Sequence, residues 1–171
     1  MKQRLNLGLI GVGRIGKVHG EHLSYRIPRS RARLAAISDV NLAEAQAVAA
    51  KLNVDCVDAD HHALLDNPDI DAVVICSPTD LHATMIEEAA AAGKHIFCEK
   101  PIARTLKEID KALDAVAKAG VKLQIGFNRR FDANFARIRQ AIASGEIGAP
   151  HLLHIISRDP TLFVGRAGQR G

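Results

Sequence analysis

The chain alternates between short apolar runs and longer stretches whose apolar residues recur at helical spacing. Leu5, Leu7, Leu9 and Ile10 crowd into one run that Gly11 ends, the pattern of a strand buried on both faces of a parallel sheet. Further runs follow at Arg33–Ser38, Val54–Val57, Ala72–Cys76, His95–Cys98 and Val121–Gly126. Helical patterns separate them. The first spans Arg14 to Ser24. The second opens at Asn41, with Glu44 three residues on, and reaches about Leu52 with Leu42, Ala45, Val48 and Leu52 inward. A short turn carries His61 and His62 before Asn67-Pro68. Another helix, capped by Thr79 or Asp80, stops at Gly93. The next starts in a capping box of Thr105 and Glu108 and ends at Gly120, in keeping with the preferences of helix ends. Strand and helix in strict alternation predict an α/β fold, a Rossmann-type doubly wound parallel sheet with strand order 3-2-1-4-5-6. Past strand six the pattern changes. A helix over 133–144 ends at Gly145, and Pro150 precedes an apolar strand over 151–156. These read as the opening of an α+β second domain, so the expected division is 1–126 and 127–171.

The first strand runs into Gly11, Gly13 and Gly16, spaced G-x-G-x-x-G, with Arg14 and Ile15 between the last two. After a strand and before a helix, this spacing is a dinucleotide-binding fingerprint. The first glycine makes the tight turn, the second lets a pyrophosphate approach the backbone, and the third lets the helix pack close to the strand. The helix N-terminus adds unpaired N–H groups and a partial positive charge. Asp39 ends the second strand 23 residues past Gly16, close to where an acid binds the adenosine ribose. Val40 and Asn41 follow it, with no arginine to welcome a 2′-phosphate, which favours NAD over NADP. In this strand order strands one and four flank the switch point, so Ser77, Pro78 and Thr79 should line the cleft opposite the glycines. His82, one turn into the following helix, either faces the cleft or packs. Strand five delivers Glu99, Lys100 and Pro101 to the same rim. There a lysine can hydrogen-bond a substrate hydroxyl or developing alkoxide.

Composition narrows the alternatives. The 171 residues are 47% hydrophobic and 25% charged, which excludes a disordered chain. No apolar run approaches the ~18 residues of a membrane span, and the N-terminus does not read as a signal peptide. The formal charge is +4, and Arg26, Arg29, Arg31 and Arg33 cluster. Only Tyr25 accompanies them and Trp is absent, so the cluster reads as a solvated loop and not as a nucleic-acid surface. Cys56, Cys76 and Cys98 lack C-x-x-C spacing and fall in or beside strands, which predicts buried thiols in a reducing cytoplasm. His19 and His22 stand three apart on the first helix, but no third ligand is near, so no metal is expected.

GVGRIGKVH near the N-terminus, SPTDLH after strand four, AGKHIFCEKP around Lys100 and GFNRRFD after strand six together resemble the Gfo/Idh/MocA oxidoreductases. Within them the likeness is to the inositol 2-dehydrogenases, over about residues 5–160. The resemblance implies a two-domain NAD-dependent enzyme that oxidises a hydroxyl of an inositol-like cyclic polyol to a ketone. Its second domain builds the substrate site and a homo-oligomer interface. Lys100 is then the catalytic lysine, with Glu99 beside it. The cofactor set is Gly11, Gly13, Arg14, Ile15, Gly16, Asp39, Ser77, Pro78, Thr79, His82, Glu99 and Lys100. Thr161 to Gly171 departs from the family pattern, where an aspartate and a histidine that take the hydroxyl proton would follow. The expectation is therefore a truncated dehydrogenase. The alternative is an NAD-binding fragment or sensor without turnover.

Overall fold

The computed structural model describes residues 4–156. Its centre is a six-stranded sheet in the order β3-β2-β1-β4-β5-β6, every pairing parallel. The strands are β1 (Leu5–Ile10), β2 (Ala32–Ser38), β3 (Cys56–Asp58), β4 (Ala72–Ile75), β5 (His95–Cys98) and β6 (Leu123–Ile125). The connecting helices are α1 (Arg14–Tyr25), α2 (Leu42–Leu52), α3 (His62–Leu65), α4 (Thr79–Ala91) and α5 (Leu106–Ala119). This is the expected doubly wound topology.

The apolar runs are continuous because both faces of the central strands are covered. Ile10, Val73, Ile75, Ile96 and Cys98 pack with Ile86, Ala89, Ala112 and Val116 of α4 and α5. The alternate residues Leu9, Leu34, Ile37, Val74 and Cys76 pack with Ala45, Val48, Ala49 and Leu52 of α2. Period-two alternation thus divides the runs of β1, β4 and β5 between two cores, while in β2 an irregular register puts Leu34 and Ile37, three apart, in the same one. The caps follow local chemistry. Thr105 and Glu108 close a reciprocal capping box, and Asn41 accepts from the Glu44 N–H. Lys94 was not singled out by sequence. It is buried, and its ammonium donates to the carbonyls of Asn67 (2.7 Å) and Ile70 (2.9 Å), pinning the loop that enters β4.

Some local expectations are corrected. Neither Thr79 nor Asp80 caps α4. The cap is Pro78, without a side-chain bond, and Thr79 is already helical. Asp80 instead pairs with Arg104 at 2.7 Å. Arg26, Arg29 and Arg31 lie in the turns between α1 and β2, while Arg33 belongs to β2 and donates to Asn6. His61 and His62 join a polar network: His61 bonds Glu88, and His62 bonds Asp60, each at 2.7 Å. The hydrogen bond that its ring donates to the Asp60 carboxylate raises His62 from the ordinary histidine value. The His62 backbone N–H, then its ring, holds Asp60 below the carboxylate range.

Cys76 and Cys98 are buried, but Cys56 is exposed because β3 is a three-residue edge strand. Burial first, then the Glu99 charge, pushes both buried thiols up to about 12, so they stay protonated and inert at neutral pH. A thiol-reactive chromophore should therefore label one cysteine per native chain quickly and all three after denaturation. Rapid native labelling of a second thiol would contradict this packing.

The chain divides into two compact units, the first ending at Gly126 and the second beginning at Phe127. In the second, Asn128–Phe131 forms a 3₁₀ turn and α6 spans Ala133–Ala143. The Asp132 carboxylate accepts from the Asn134 and Phe135 N–H groups to start that helix. Residues 151–156 do not form the expected strand. Among the described residues no neighbouring strand pairs with them, and a strand needs a partner ladder. Residues Thr161 to Gly171 lie outside the described residues. No helix among the described residues is long and apolar enough to cross a membrane.

Candidate functional site

The carboxyl ends of β1, β4 and β5 lie side by side, and the residues singled out by sequence follow each of them. Gly11 leaves β1 with φ +92, a conformation that L side chains rarely adopt. A β-carbon there would stand 2.8 Å from the Cys76 carbonyl and the Ser77 nitrogen. The glycine therefore allows the turn and also lets the loops after β1 and β4 touch. Gly16 is buried in the first turn of α1, and a β-carbon on it would collide with the Gly11 carbonyl. Gly13 differs from both. Its φ is −60, open to any residue, and a β-carbon would meet nothing among the described residues within 4 Å. No packing demand explains a glycine there, whereas close approach of a ligand to the backbone does. Gly13 is the N-cap of the 12-residue α1, makes no side-chain cap bond, and has no acid in the turn that follows. That leaves an anion-attracting helix end. Arg14 and Ile15 are exposed beside it.

Asp39 is half-buried at the end of β2. Its Oδ2 accepts from the Val12 N–H at 2.7 Å and its Oδ1 from the Asn41 N–H at 2.9 Å. The first bond ties the end of β2 to the glycine loop. Each carboxylate oxygen can accept a second bond, so acceptor capacity remains for a diol. Val40 beside it is 92% exposed.

Ser77 and Thr79 are half-buried and Pro78 is exposed, on the loop that Gly11 touches. The β4–β5 ladder extends to Glu99 N–H donating to the Ile75 carbonyl at 3.0 Å. It therefore holds Glu99, Lys100 and Pro101 on the same rim. The Lys100 side chain is exposed, and the Lys100–Pro101 peptide is cis.

Sequence reasoning missed the partners of Glu99. Its Oε1 lies 2.8 Å from His19 Nε2, and its Oε2 accepts from the Lys100 N–H at 3.2 Å. The carboxylate is only 14% exposed, and the His19 ring also meets Phe97 edge-on at 5.1 Å. His19 is thus a partner of Glu99. A β-carbon on Gly126 would stand 3.0 Å from Glu99 Oε1, so the end of β6 also closes on this carboxylate. Nothing in the sequence signals a contact between residues 80 positions apart.

His82 is placed apart from the others. Its ring is 2% exposed. Nδ1 lies 2.7 Å from the Pro101 carbonyl and Nε2 lies 2.8 Å from the Ser77 carbonyl. It packs, and offers the cleft no unoccupied nitrogen.

The family model described as an oxidoreductase family with an NAD-binding Rossmann fold matches residues 5–127. An uncharacterized oxidoreductase of Bacillus subtilis, YrbE, is 51% identical over 94% of this chain and 46% of its own length. A myo-inositol 2-dehydrogenase of Thermotoga maritima is 43% identical over 91% of this chain and 46% of its own. Among solved structures, a scyllo-inositol dehydrogenase of Lactobacillus casei with bound NAD(H) and scyllo-inositol superposes with TM-score 0.80 at 36% identity. The match covers 85% of this chain and 42% of that one. The chain spans about half the length of the relatives it matches.

Proposed function

Because the chain belongs to the Gfo/Idh/MocA oxidoreductase family, with its NAD-binding Rossmann fold, we propose that it forms the cofactor-binding part of an NAD-dependent dehydrogenase. The reaction is oxidation of one hydroxyl of an inositol-like cyclic polyol to a ketone. The observation that carries this is the Gly11–Gly16 loop, with Gly13 open above it and Asp39 bonded to its Val12 N–H. In this reading Gly11, Gly13, Arg14, Ile15 and Gly16 receive the pyrophosphate at the α1 N-terminus. Asp39 accepts the ribose hydroxyls, and its charge repels a 2′-phosphate. Ser77, Pro78 and Thr79 flank the cofactor, and His82 contributes by packing behind them. Bound NAD supplies the hydride acceptor. Lys100 donates a hydrogen bond to the substrate oxygen and stabilises the charge that develops on it, while Glu99 backs the lysine's loop.

Residues from Phe127 onward would begin the part that completes the substrate site and associates with further copies. Exposed Phe131, Phe135, Ile138 and Ile142 suit such burial. The free thiols suit a reducing cytoplasm.

A second reading is a module that holds NAD without turnover. It is favoured by His82, whose two ring nitrogens both face backbone carbonyls, which leaves that ring no nitrogen to take the hydroxyl proton. Fluorescence titration of the purified chain should show saturable NADH binding, at least about tenfold tighter than NADPH. No saturable binding, or a preference for NADPH, would overturn the cofactor assignment. Adding myo-inositol and NAD and following NADH absorbance then separates the readings. Steady turnover supports a dehydrogenase in these residues, and its absence supports the binding module.

A further inference from the structure

We propose that Asp60, His61 and His62 bind one divalent transition-metal ion of the zinc class, with Glu88 behind the two rings. Asp60 and His61 follow β3, His62 opens α3 and Glu88 stands in the last turns of α4. None of them is among the residues assigned to the cofactor, so the site stands whether or not this chain binds NAD. Both rings face the same two carboxylates by the same edges. His61 and His62 lie with centroids 4.2 Å apart and planes tilted by 37°. Their Nδ1 atoms turn towards Asp60, whose Oδ1 is 2.7 Å from that of His62 and 3.7 Å from that of His61. Their Nε2 atoms turn towards Glu88, whose Oε2 is 2.7 Å from that of His61 and whose Oε1 is 3.7 Å from that of His62. The His62 backbone N–H donates to Asp60 Oδ1 at 2.9 Å, which fixes the carboxylate against the rings. One donor atom from each of Asp60, His61 and His62 lies within 4.8 Å of the other two. A tetrahedral zinc ion holds its nitrogen and oxygen ligands about 3.3 Å apart, and the two Oδ1–Nδ1 distances fall on either side of that.

Charge and hydrogen bonding support the same ion. Among the described residues neither Asp60 nor Glu88 pairs with a lysine or arginine. With neutral rings the cluster holds two carboxylate charges and no positive one, and a divalent cation balances them. A ligating histidine donates its other N–H to a carboxylate, which orients the ring. His61 already has that arrangement, with Nε2 against Glu88 and the Nδ1 lone pair turned to the Asp60 side. His62 needs one change of tautomer. Its proton leaves Nδ1, where Asp60 now accepts it, and is carried on Nε2, on the side of Glu88. Two imidazoles and one carboxylate suit zinc, cobalt(II) or nickel(II), whereas magnesium and calcium take oxygen ligands. The His62 and Asp60 side chains are 50% and 65% exposed, so solvent can reach the ion and fill a fourth position.

The test uses the full, untagged chain, stripped of metal with a chelator. Zinc chloride is titrated by calorimetry and cobalt(II) chloride by visible absorption. One zinc should bind per chain, cobalt should show the bands of a nitrogen–oxygen site, and zinc should displace it while magnesium does not. His62→Ala, at an exposed ring, should weaken zinc more than about a hundredfold. Glu88→Gln should weaken it about tenfold, because outer partners contribute about 10–100-fold. Cys56→Ser and His22→Ala should bind zinc like the unaltered chain. Excess zinc should raise the unfolding midpoint of the unaltered chain but not that of a chain carrying both His61→Ala and His62→Ala. Absence of zinc binding by the folded, unaltered chain overturns the proposal. So does binding that survives the paired substitution, or that is lost with Cys56 or His22 instead. Should the paired variant fail to fold, His62→Ala and Glu88→Gln decide, and full affinity in His62→Ala rejects the site. None of these readouts needs the cofactor, so failure to bind NADH leaves the metal site standing, and failure to bind zinc leaves the cofactor reading standing.

Discussion

Gly16→Ala should remove saturable NADH binding and lower the unfolding midpoint steeply, whereas Gly13→Ala should remove binding alone. The two glycines stand three residues apart in one motif, yet a methyl group meets opposite surroundings at each. At Gly16 it collides with the Gly11 carbonyl and lies 3.4 Å from the Cys76 β-carbon. The first obstacle is backbone and cannot swing away, so α1 must lift from the end of β1. Overpacking of this kind costs about 3 kcal/mol or more, a large share of a total stability of about 5–15 kcal/mol. At Gly13 the methyl meets nothing among the described residues within 4 Å, and the φ of −60 suits alanine. There the substitution should change the melting temperature little, because alanine restricts the unfolded chain but is a poorer N-cap than glycine. Its effect falls on the ligand. A methyl group where the pyrophosphate meets the backbone should weaken NADH by more than about tenfold. Thermal melts and NADH titrations of both variants check this. Full NADH affinity in Gly13→Ala would show that no phosphate approaches at that position.

The contrast shows what was legible in the sequence. Topology was, because its signals are local. The switch between period-two and helical spacing marked the elements, and the capping box at Thr105–Glu108 and the left-handed Gly120 fixed one helix at both ends. The glycine fingerprint marked the turn from β1 into α1. One error was local, the α4 cap standing at Pro78 and not at Thr79 or Asp80; the others came where a signal depended on a partner distant in sequence. The run at 151–156 has strand composition, but strand formation is a property of a pair. Cys56 belongs to a strand, but strand membership does not fix burial at a sheet edge. His19, Glu99, His82 and Lys94 were each visible as residue types. Their roles depend on contacts across β-strand ends: His19 with Glu99, His82 with Pro101, Lys94 with Asn67. No spacing rule predicts these. For His82 the sequence left two orientations open, and burial with both nitrogens against carbonyls selects packing.

Asp39 carries the other large expected effect, and its two roles can be separated. The carboxylate accepts from Val12 and Asn41, so it shapes the glycine loop even without cofactor. In the proposed reading it also accepts the ribose hydroxyls and repels a 2′-phosphate. Asp39→Ala removes both roles. Hydrogen bonds to a charged acceptor contribute about 1.5–3 kcal/mol each, so NADH should bind about a hundredfold more weakly. Asp39→Asn keeps one acceptor oxygen, enough for one of the two loop bonds, but loses the charge. It should retain more of the loop's order and so lose less NADH affinity. In both variants the ratio of NADPH to NADH affinity should rise towards one, because the repelling charge is gone while the space beside exposed Val40 stays open. Parallel titrations with the two cofactors check this. If Asp39 acts only by ordering the loop, NADH and NADPH affinities fall by the same factor. An unchanged ratio would then reject the ribose contact even though both affinities had collapsed.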